Sequence, residues 1–406
     1  MNQYEKYLTA ESFLQALPAK HGQNPEIFIK RMRFLLKLAK NPDKRLKIIH
    51  VAGTSGKGSV CNGIYNLLLA AKKKTGLHVS PFVSVSTEKI QANGKFISAG
   101  EFYNLVKEVK PLIDKCTKKF GCPSYFEIWF LLSLKYFAKQ KCEYAVLETG
   151  CGGRYDASNS VFNPLISIIT NVGIDHQKLL GRTISEIAWQ KAGIIRKNGI
   201  VISGADRSAA RKIIEKEAQK QNAQLIFVQD EHNPNTAIVQ TAAKLLHIDL
   251  KKFPADLNEK KLAARFEIMQ NKPLIILDGA HNADKLAYLA KQIQRLKYRK
   301  LFLIAAMTEN RNAANCFKPL LKIADDIYCT KFNNPFRKPA TPEKLAKKLG
   351  TKHFFDSVET ALAFAKKQTT KNDLILITGS FFLCGEARKL WIDEKTQVEQ
   401  QTNFPK

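Results

Sequence analysis

A glycine-rich segment between an apolar run and an amphipathic stretch limits most strongly how this chain can fold. Residues 47–52 (KIIHVA) form a short apolar run typical of a buried strand, and residues 53–59 (GTSGKGS) follow directly. Residues 59–72 then carry apolar side chains at helical spacing. Glycines between a strand and a helix let backbone N–H groups turn toward an anion, and the helix N-terminus adds positive potential. This order of segments therefore predicts a phosphate-binding loop.

Within this loop, Lys57 is the candidate to reach the β- and γ-phosphates of a nucleotide. Gly58 separates it from Ser59, so the loop differs from the standard G-x-x-x-x-G-K-[ST] pattern and is shorter. A glycine turn with an accidental lysine is the alternative, and the strand and helix on either side argue against it. The predicted nucleotide-binding residues here are Gly53, Thr54, Gly56, Lys57, Gly58 and Ser59.

Strand-like and helix-like segments alternate along the rest of the chain, which predicts an α/β fold with a parallel-rich sheet covered by helices on both faces. The predicted strands are 47–52, 144–148, 165–170, 199–203, 274–277, 300–306, 326–329 and 374–378. The predicted helices are 59–72, 125–137, 184–195, 208–222, 236–246, 285–296, 342–349 and 358–367. A polar stretch at 229–270 separates two such sets, so we predict domains at 1–270 and 271–406. The polar tail after Trp391 is expected to fray.

The composition excludes several classes of protein. With 406 residues, 45% of them hydrophobic and 25% charged, the chain is neither disordered nor collagen-like. Its formal net charge of +29 favours anionic partners such as nucleotides and acidic metabolites. The lysines are spread along the whole chain, whereas a nucleic-acid-binding arm would concentrate them, so we expect no nucleic-acid partner.

Cysteine spacing and hydropathy predict the compartment. The eight cysteines form no C-x-x-C pair, which argues against a zinc site. The N-terminal residues do not read as a signal peptide, and no apolar run approaches the length of a membrane span. We therefore expect a reduced, cytoplasmic protein that does not associate with membranes.

Two polar segments follow buried strands in the first half of the chain. The strand 144–148 ends in Glu148, ahead of a run of glycines, and the strand 165–170 is followed by a loop that contains His176. Because ligands bind at the carboxyl edge of parallel sheets, Glu148 is a candidate Mg²⁺ ligand and His176 a candidate second one. An acid that only ends a strand, and a histidine satisfied within the core, are the alternatives.

Two further segments carry candidate chemistry. Lys191 lies between apolar neighbours in the predicted helix 184–195, and a buried lysine can lose its proton and react with CO₂ to form a carbamate. Its alternative is a solvated helix face. In the second half, Asp278 and His281 follow the strand 274–277, where a simple helix N-cap is the alternative.

Taken together, the motifs resemble the Mur-ligase superfamily and, within it, the folylpolyglutamate synthase/dihydrofolate synthase family. The segments that carry the resemblance occur in family order: HVAGTSGKGSV (50–60), TGLHVSPF (75–82), SYFEIWFL (124–131), LETGCGGRYDASN (147–159), TNVGIDHQKLLGRTISEIAWQKAGII (170–195), ARFEI (264–268), LDGAHN (277–282), NNPFRKPATPEKLA (333–346) and TGSFFLCGEAR (378–388).

The resemblance implies an N-terminal P-loop ATPase domain with a parallel-rich sheet and a C-terminal Rossmann-like α/β domain. It implies an ATP- and Mg²⁺-dependent ligase that phosphorylates a pterin or folate carboxylate and then forms an amide with L-glutamate. The implied magnesium ligands are Ser80, Glu148, His176 and Lys191, the last as a carbamate. The implied nucleotide contacts outside the loop are Asn235, Arg265, Asp278 and His281, and the implied catalytic residues are Lys57, His176, Lys191 and Arg265.

The sequence departs from the family at several positions. Ser55 stands where asparagine is usual, Phe82 where histidine is frequent, and Ala264 where glycine usually precedes the arginine. The region 229–235, which holds Asn235, is several tens of residues shorter than in the family. Two alternatives to a folate ligase therefore remain: another Mur-type amino-acid ligase, and a non-catalytic nucleotide-binding descendant. The sequence ahead of the loop shows no uridine-nucleotide-binding domain, which argues against another Mur-type ligase. The second alternative is disfavoured because Lys57, Glu148, His176 and Lys191 are all retained. We expect a monomer.

Overall fold

The computed structural model describes residues 1–18, 25–230, 233–252, 262–335 and 337–405. These residues form two compact units. The first contains residues 1–81 and the described residues from Thr87 to Lys252, and the second contains residues 82–86 and the described residues from Leu262 onward. In the described chain, the division between these two units lies between residues 252 and 262.

The first unit is an eight-stranded sheet, counted over its described residues, with helices on both faces. Its helices are α1 (Gln3–Gln15), α2 (Glu26–Leu38), α3 (Lys57–Ala70), α4 (Ala99–Phe120), α5 (Tyr125–Lys139), α6 (Gln177–Leu180), α7 (Ile184–Ala192), α8 (Ser208–Lys220) and α9 (Pro234–Leu245). Its strands are β1 (Lys47–Ala52), β2 (Thr75–His78), β3 (Ile90–Ala92), β4 (Lys95–Phe96), β5 (Tyr144–Glu148), β6 (Ile166–Ile169), β7 (Ile200–Ser203) and β8 (Gln224–Phe227).

The order of strands in this sheet is β4-β3-β2-β5-β1-β6-β7-β8. The pairings from β2 to β8 are parallel, while β3 pairs antiparallel with both β2 and β4. The central strands β1 and β5 are buried on both faces, which is why they read as unbroken apolar runs in the sequence. Val51 pairs in register with Glu148, and Ala52 with Ile169. The carboxyl ends of β1, β5 and β6 therefore meet at one edge, as the sequence predicts.

The second unit is built on a five-stranded sheet within the part of the chain that is described, in the order β12-β11-β13-β10-β9. Its strands are β9 (Glu267–Asn271), β10 (Leu274–Asp278), β11 (Leu301–Ala305), β12 (Asp326–Cys329) and β13 (Leu374–Thr378). Its helices are α10 (Ala283–Ile293), α11 (Ala313–Leu321), α12 (Pro342–Leu349), α13 (Val358–Gln368), α14 (Phe381–Arg388) and α15 (Glu394–Gln400). All pairings are parallel except β9 with β10. Apolar clusters cover both faces of this sheet.

The prediction of a frayed C-terminal tail is wrong. Helix α15 lies in that tail, with Gln397 and Val398 buried. Arg388, fully buried at the end of α14, donates to the carbonyl of Asn403 and to the carboxylate of Glu267 in β9. The polar tail is ordered because a buried guanidinium needs acceptors, and the tail supplies one of them.

The segment 82–86 belongs to the second unit although both of its flanks belong to the first. Arg388 donates to the Ser84 hydroxyl at 3.1 Å. A Cβ on Gly385 would lie 2.0 Å from the carbonyl oxygen of Val83, so only glycine allows this approach. Among the helices of the described chain, none is long and apolar enough to cross a membrane.

Candidate active site

The glycine loop after β1 has the geometry that a phosphate site requires. Gly56 caps α3 with φ +82°, in the region that favours glycine. A Cβ on Gly56 would lie 2.4 Å from Oδ1 of Asn235, and a Cβ on Gly53 would lie 1.8 Å from Oγ1 of Thr170. The loop therefore has no room for side chains at these two positions. Helix α3 begins at Lys57, two residues earlier than the periodicity predicted, so its first N–H groups lie within the loop itself.

The end of β6 fixes the shape of this loop. Oγ1 of Thr170 donates to the carbonyl of Ser55 at 2.6 Å, and Oδ1 of Asn171 accepts from the Ser55 N–H at 2.7 Å. Oγ1 of Thr54 exchanges hydrogen bonds with the backbone of Gly173 at 3.0 and 3.1 Å. The Ser55 hydroxyl is buried without a hydrogen-bond partner in the described structure. A buried polar atom of this kind is a candidate contact for a bound polar group.

Lys57, Glu148 and Ser80 lie together at the carboxyl edge of the sheet. Nζ of Lys57 donates to the Gly53 carbonyl at 3.1 Å and lies 3.9 Å from Oε1 of Glu148. The Glu148 side chain is 5% exposed, and its Oε2 accepts from the Ser80 N–H at 3.1 Å. A nearly buried carboxylate beside a lysine and a phosphate loop is suited to a hard divalent cation.

Lys191 is buried near the same edge, with 2% of its surface exposed. Burial and, second to it, the positive charge of Lys57 lower the pKa of Lys191 to about 7, although Cys151 and Asp175 act in the opposite direction. At neutral pH a large fraction of this amine is therefore uncharged. The solvated-helix-face alternative is wrong for Lys191, because its side chain does not face solvent.

His176 is the N-cap of the short helix α6 and has a left-handed φ of +50°. Its backbone N–H donates to Oδ1 of Asp175 at 2.8 Å. Within the described ranges, no three His, Cys, Asp or Glu side chains cluster as metal ligands.

Asn235 lies beside the phosphate loop despite the shortened region before it. It is the second residue of α9, whose Ile238 and Val239 belong to the same apolar cluster as Val60 and Ile64 of α3. Packing of α9 on α3 carries the Asn235 side chain to Gly56. The neighbouring residues 231 and 232 lie outside the described chain.

The other candidate residues lie in the second unit. The Asp278 carboxylate, at the end of β10, accepts from the N–H groups of Phe266 and Ala280 at 2.9 and 2.8 Å, and burial raises its pKa. Nδ1 of His281 lies 2.7 Å from the Gly279 carbonyl, and the Arg265 guanidinium lies 5.0 Å from the centre of the Phe381 ring.

The backbone next to Arg265 is strained at Ala264. Ala264, which stands where the family usually has glycine, has φ +52° and is fully buried. A left-handed conformation suits glycine better than alanine, which explains the usual family residue at this position.

Asp156 is a further residue of this edge, and the sequence motifs predict no role for it. This carboxylate is nearly buried, and burial raises its pKa. Its oxygens accept from the Cys151 N–H at 2.9 Å and from the Ser158 hydroxyl at 2.5 Å, while Ser158 also lies 2.8 Å from Nε2 of His50 in β1. Asp156 thereby holds the glycine segment after Glu148 against β1. The sequence signal that could have indicated this role is an acidic residue shortly after the glycines that follow β5.

Comparison with known proteins identifies the family. The Mur ligase middle domain matches residues 51–269, and the Mur ligase glutamate ligase domain matches residues 264–381. The chain belongs to the Mur ligase family. Among curated Mur ligases, it is 31% identical to a dihydrofolate synthase/folylpolyglutamate synthase of Buchnera aphidicola subsp. Baizongia pistaciae, over 84% of this chain and 85% of that protein.

Further relatives cover nearly the full length. A dihydrofolate synthase/folylpolyglutamate synthase of Bacillus subtilis is 29% identical over 95% of this chain and 99% of that protein. A solved bifunctional folylpolyglutamate synthase/dihydrofolate synthase with Mn, AMPPNP and L-glutamate bound is 25% identical, with a TM-score of 0.80 over 95% of this chain and 97% of that one. The resemblance stated from the motifs is thus confirmed, as is the fold class.

The residues at this site fit a nucleotide and a hard divalent cation. The loop presents an unpartnered Ser55 hydroxyl and the first amides of α3, and Lys57 supplies a cation beside them. Glu148 supplies an oxygen donor of the kind that Mg²⁺ prefers.

We expect Glu148→Gln to raise the Mg²⁺ concentration for half-maximal turnover by about tenfold or more, because a charged ligand is worth more than about 1.4 kcal/mol. The measurement is a Mg²⁺ titration at saturating ATP. Glu143→Gln is the matched control, because Glu143 precedes the same strand at its opposite end and is 41% exposed. Equal titrations for both variants would mean that the metal binds elsewhere.

Proposed function

We propose that this chain is an ATP-dependent ligase that joins L-glutamate to a folate-type carboxylate, which is dihydropteroate, a tetrahydrofolate and its polyglutamates, or both. The observation that carries the proposal is the meeting of the phosphate loop, Lys57, Glu148 and buried Lys191 at one sheet edge. Its relatives' names supply the substrate class. Among the alternatives, a non-catalytic descendant does not account for a lysine and a carboxylate kept buried at this edge.

The proposed reaction has two steps. The substrate carboxylate attacks the γ-phosphorus of ATP, which forms an acyl phosphate and releases ADP. The amino group of L-glutamate then attacks the acyl carbon, so that an amide forms and phosphate leaves. In the first step negative charge spreads over the transferring phosphoryl oxygens, and fixed cations at that position lower the barrier. Lys57 and the first amides of α3 lie in the phosphate loop and would stabilise this negative charge. We assign Arg265 to the same role.

We assign Ser80, Glu148, His176 and carbamylated Lys191 to Mg²⁺, which when bound neutralises charge on the phosphate oxygens. The carbamate forms when the neutral amine of Lys191 attacks CO₂ and loses a proton. It converts a cation into an anion with two oxygen donors. The burial of Lys191, which lowers the pKa of its amine to about 7, supports this assignment, because a substantial fraction of the amine is then uncharged at neutral pH.

The remaining assignments are also proposals. Asn235 beside Gly56, together with Asp278 and His281 in the second unit, would contact the nucleotide. Two functional domains, 1–270 and 271–406, a monomeric state and a cytoplasmic location stay predictions.

The experiment that tests the function measures phosphate release from ATP with L-glutamate and each of two acceptors, dihydropteroate and tetrahydrofolate, side by side. We expect release to require both glutamate and at least one of these acceptors. Turnover only with a different carboxylate would favour another Mur-type ligase. No turnover with any acceptor, at normal nucleotide binding, would favour a non-catalytic protein.

We expect Lys191→Ala to lose most activity and to regain part of it when short carboxylic acids are added. The deleted side chain leaves space in the buried surroundings of Lys191, and a small carboxylate can supply the oxygen donors that the carbamate would provide. The measurement is turnover against acetate or propionate concentration, with chloride at equal ionic strength as the control. Full activity in the unsupplemented variant would contradict the assignment.

A further inference from the structure

A second cation, Arg154, holds the end of the helix that carries Lys191. It follows the glycine segment after Glu148, and its side chain is 20% exposed. Its backbone N–H donates to the carbonyl of Gln190 at 2.6 Å. Its guanidinium donates to the carbonyl of Trp189 at 3.3 and 3.4 Å and to Oε2 of Glu217 at 2.8 Å. Arg154 thus joins the loop after β5 to both α7 and α8.

These contacts satisfy the free end of a helix. Helix α7 ends at Ala192, so the carbonyls of its last turn lack partners within the helix. Arg154 donates hydrogen bonds to two of these carbonyls, those of Trp189 and Gln190. The helix dipole also favours a cation at the C-terminus of a helix. Lys191 is the next residue in that turn. Fixing the turn therefore fixes the base of the Lys191 side chain.

The aromatic ring of Trp189 adds a second constraint. The Arg154 guanidinium stacks on this ring at 4.1 Å from its centre. The Trp189 side chain remains 42% exposed, so its ring serves as a platform for the guanidinium rather than as core. The same guanidinium pairs with Glu217, whose carboxylate is 9% exposed. Arg154 is thus held from the side of α7 and from the side of α8.

The backbone on both sides of this contact is packed without free space. A Cβ on Gly153 would lie 2.9 Å from the Gln190 carbonyl and 3.0 Å from that of Lys191. A Cβ on Gly193 would lie 2.3 Å from Cβ of Arg154. This close packing restricts how the loop after Glu148 can move relative to the turn that carries Lys191. Arg154 lies where the two segments meet.

We propose that Arg154 is a positioning residue: its guanidinium, held by Trp189 and Glu217, fixes the last turn of α7 and so keeps the Lys191 side chain beside the phosphate loop. The importance of Lys191 for turnover rests on the proposed function, whereas the effect on the turn itself does not. A merely structural Arg154, which only ties α7 to α8, would affect stability and leave kcat unchanged in the folded enzyme.

The test compares Arg154→Met with Arg154→Lys and with Arg299→Met as a matched control. Arg299 likewise pairs with a carboxylate, donating to both oxygens of the buried Asp373 at 3.0 Å in the second unit, and it has no role in the proposed site. For Arg154→Met we expect kcat to fall by about 100-fold while KM for ATP changes by less than about threefold, because a misplaced catalytic group affects the reaction more than binding. Arg154→Lys should recover part of kcat, and Arg299→Met should keep wild-type kcat.

A second measurement follows the turn directly. Hydrogen exchange of the amides in residues 188–195 should be faster in Arg154→Met than in the wild type, and unchanged in Arg299→Met. If Arg154→Met does not fold, Glu217→Gln and Trp189→Ala, which each remove one support of the guanidinium, should show smaller changes of the same kind.

The outcomes separate the two proposals. An inactive wild type overturns the proposed function, and hydrogen exchange alone then decides the role of Arg154. An active wild type with kcat unchanged in Arg154→Met, or in both milder variants, overturns the positioning role and leaves the function standing. Unchanged exchange in residues 188–195 overturns it in either case.

Discussion

Replacement of Lys57 by alanine is expected to lower kcat by about 100-fold or more, because a fixed cation at the transferring phosphoryl group is worth about 3 kcal/mol or more. The Lys57 amine lies in the phosphate loop at 3.1 Å from the Gly53 carbonyl and is 18% exposed. Its removal leaves the loop intact, since Thr170 and Asn171 hold the backbone of Ser55. The measurements are the steady-state rate of phosphate release and the thermal unfolding curve of the variant.

Lys47→Ala is the matched control for this experiment. Lys47 begins the strand β1 that leads into the loop, and its amine pairs with the exposed Glu143 at 2.9 Å. An exposed pair of this kind contributes about 1 kcal/mol or less, so both turnover and folding should stay near wild type. A kcat for Lys57→Ala close to that of Lys47→Ala would refute the phosphate-loop assignment.

Arg31→Met is expected to destabilise the first unit by about 3–5 kcal/mol, because it leaves the carboxylate of Glu127 buried without its cation. Both side chains are almost fully buried, and the guanidinium of Arg31 donates to the two oxygens of Glu127 at 2.8 and 2.6 Å. Glu127 also accepts from the N–H and hydroxyl of Ser124, the N-cap of α5. Calorimetry of the full chain should show the transition of the first unit shifted downward by about 10 °C.

The double variant Arg31→Met/Glu127→Gln tests the reason for this loss. It removes the uncompensated charge, so it should be more stable than Arg31→Met alone. A loss of less than about 1 kcal/mol in the free energy of unfolding of Arg31→Met would contradict this prediction, because the buried pair would then contribute no more than an exposed ion pair does.

The candidate site was largely predictable because its parts are local in sequence. A strand, a glycine turn and a helix, or a strand that ends in an acid, are patterns of neighbouring residues, and parallel pairing alone brings the ends of β1, β5 and β6 together. Strands β5, β12 and β13 lie at the predicted bounds for the same reason. The assignments of Lys57, Glu148 and Lys191 remain predictions about chemistry, although the distance of 3.9 Å between Nζ of Lys57 and Oε1 of Glu148 and the burial of Lys191 are structural facts.

Elements whose burial depends on distant partners were missed. Helix α1 buries Glu11 beside Tyr7 and Leu14, so its sequence does not show a clean apolar face. Strands β3 and β4 have three and two residues, which carry too little periodicity to predict a strand, and the edge strand β9 is partly exposed. All three strands pair antiparallel. The long helix α4 contains Pro111, which argues locally against a helix that its buried face stabilises.

Local patterns thus settle the two α/β sets and the glycine loop between β1 and α3, because each depends on residues a few positions apart. Tertiary structure alone decides which charges are buried and which segments they join. Arg388 reaches Glu267, Ser84 and the tail at Asn403, residues far apart in the chain. Arg154 likewise reaches the end of α7 and Glu217. A buried guanidinium takes whichever acceptors the folded chain brings to it, and no spacing along the sequence records that choice.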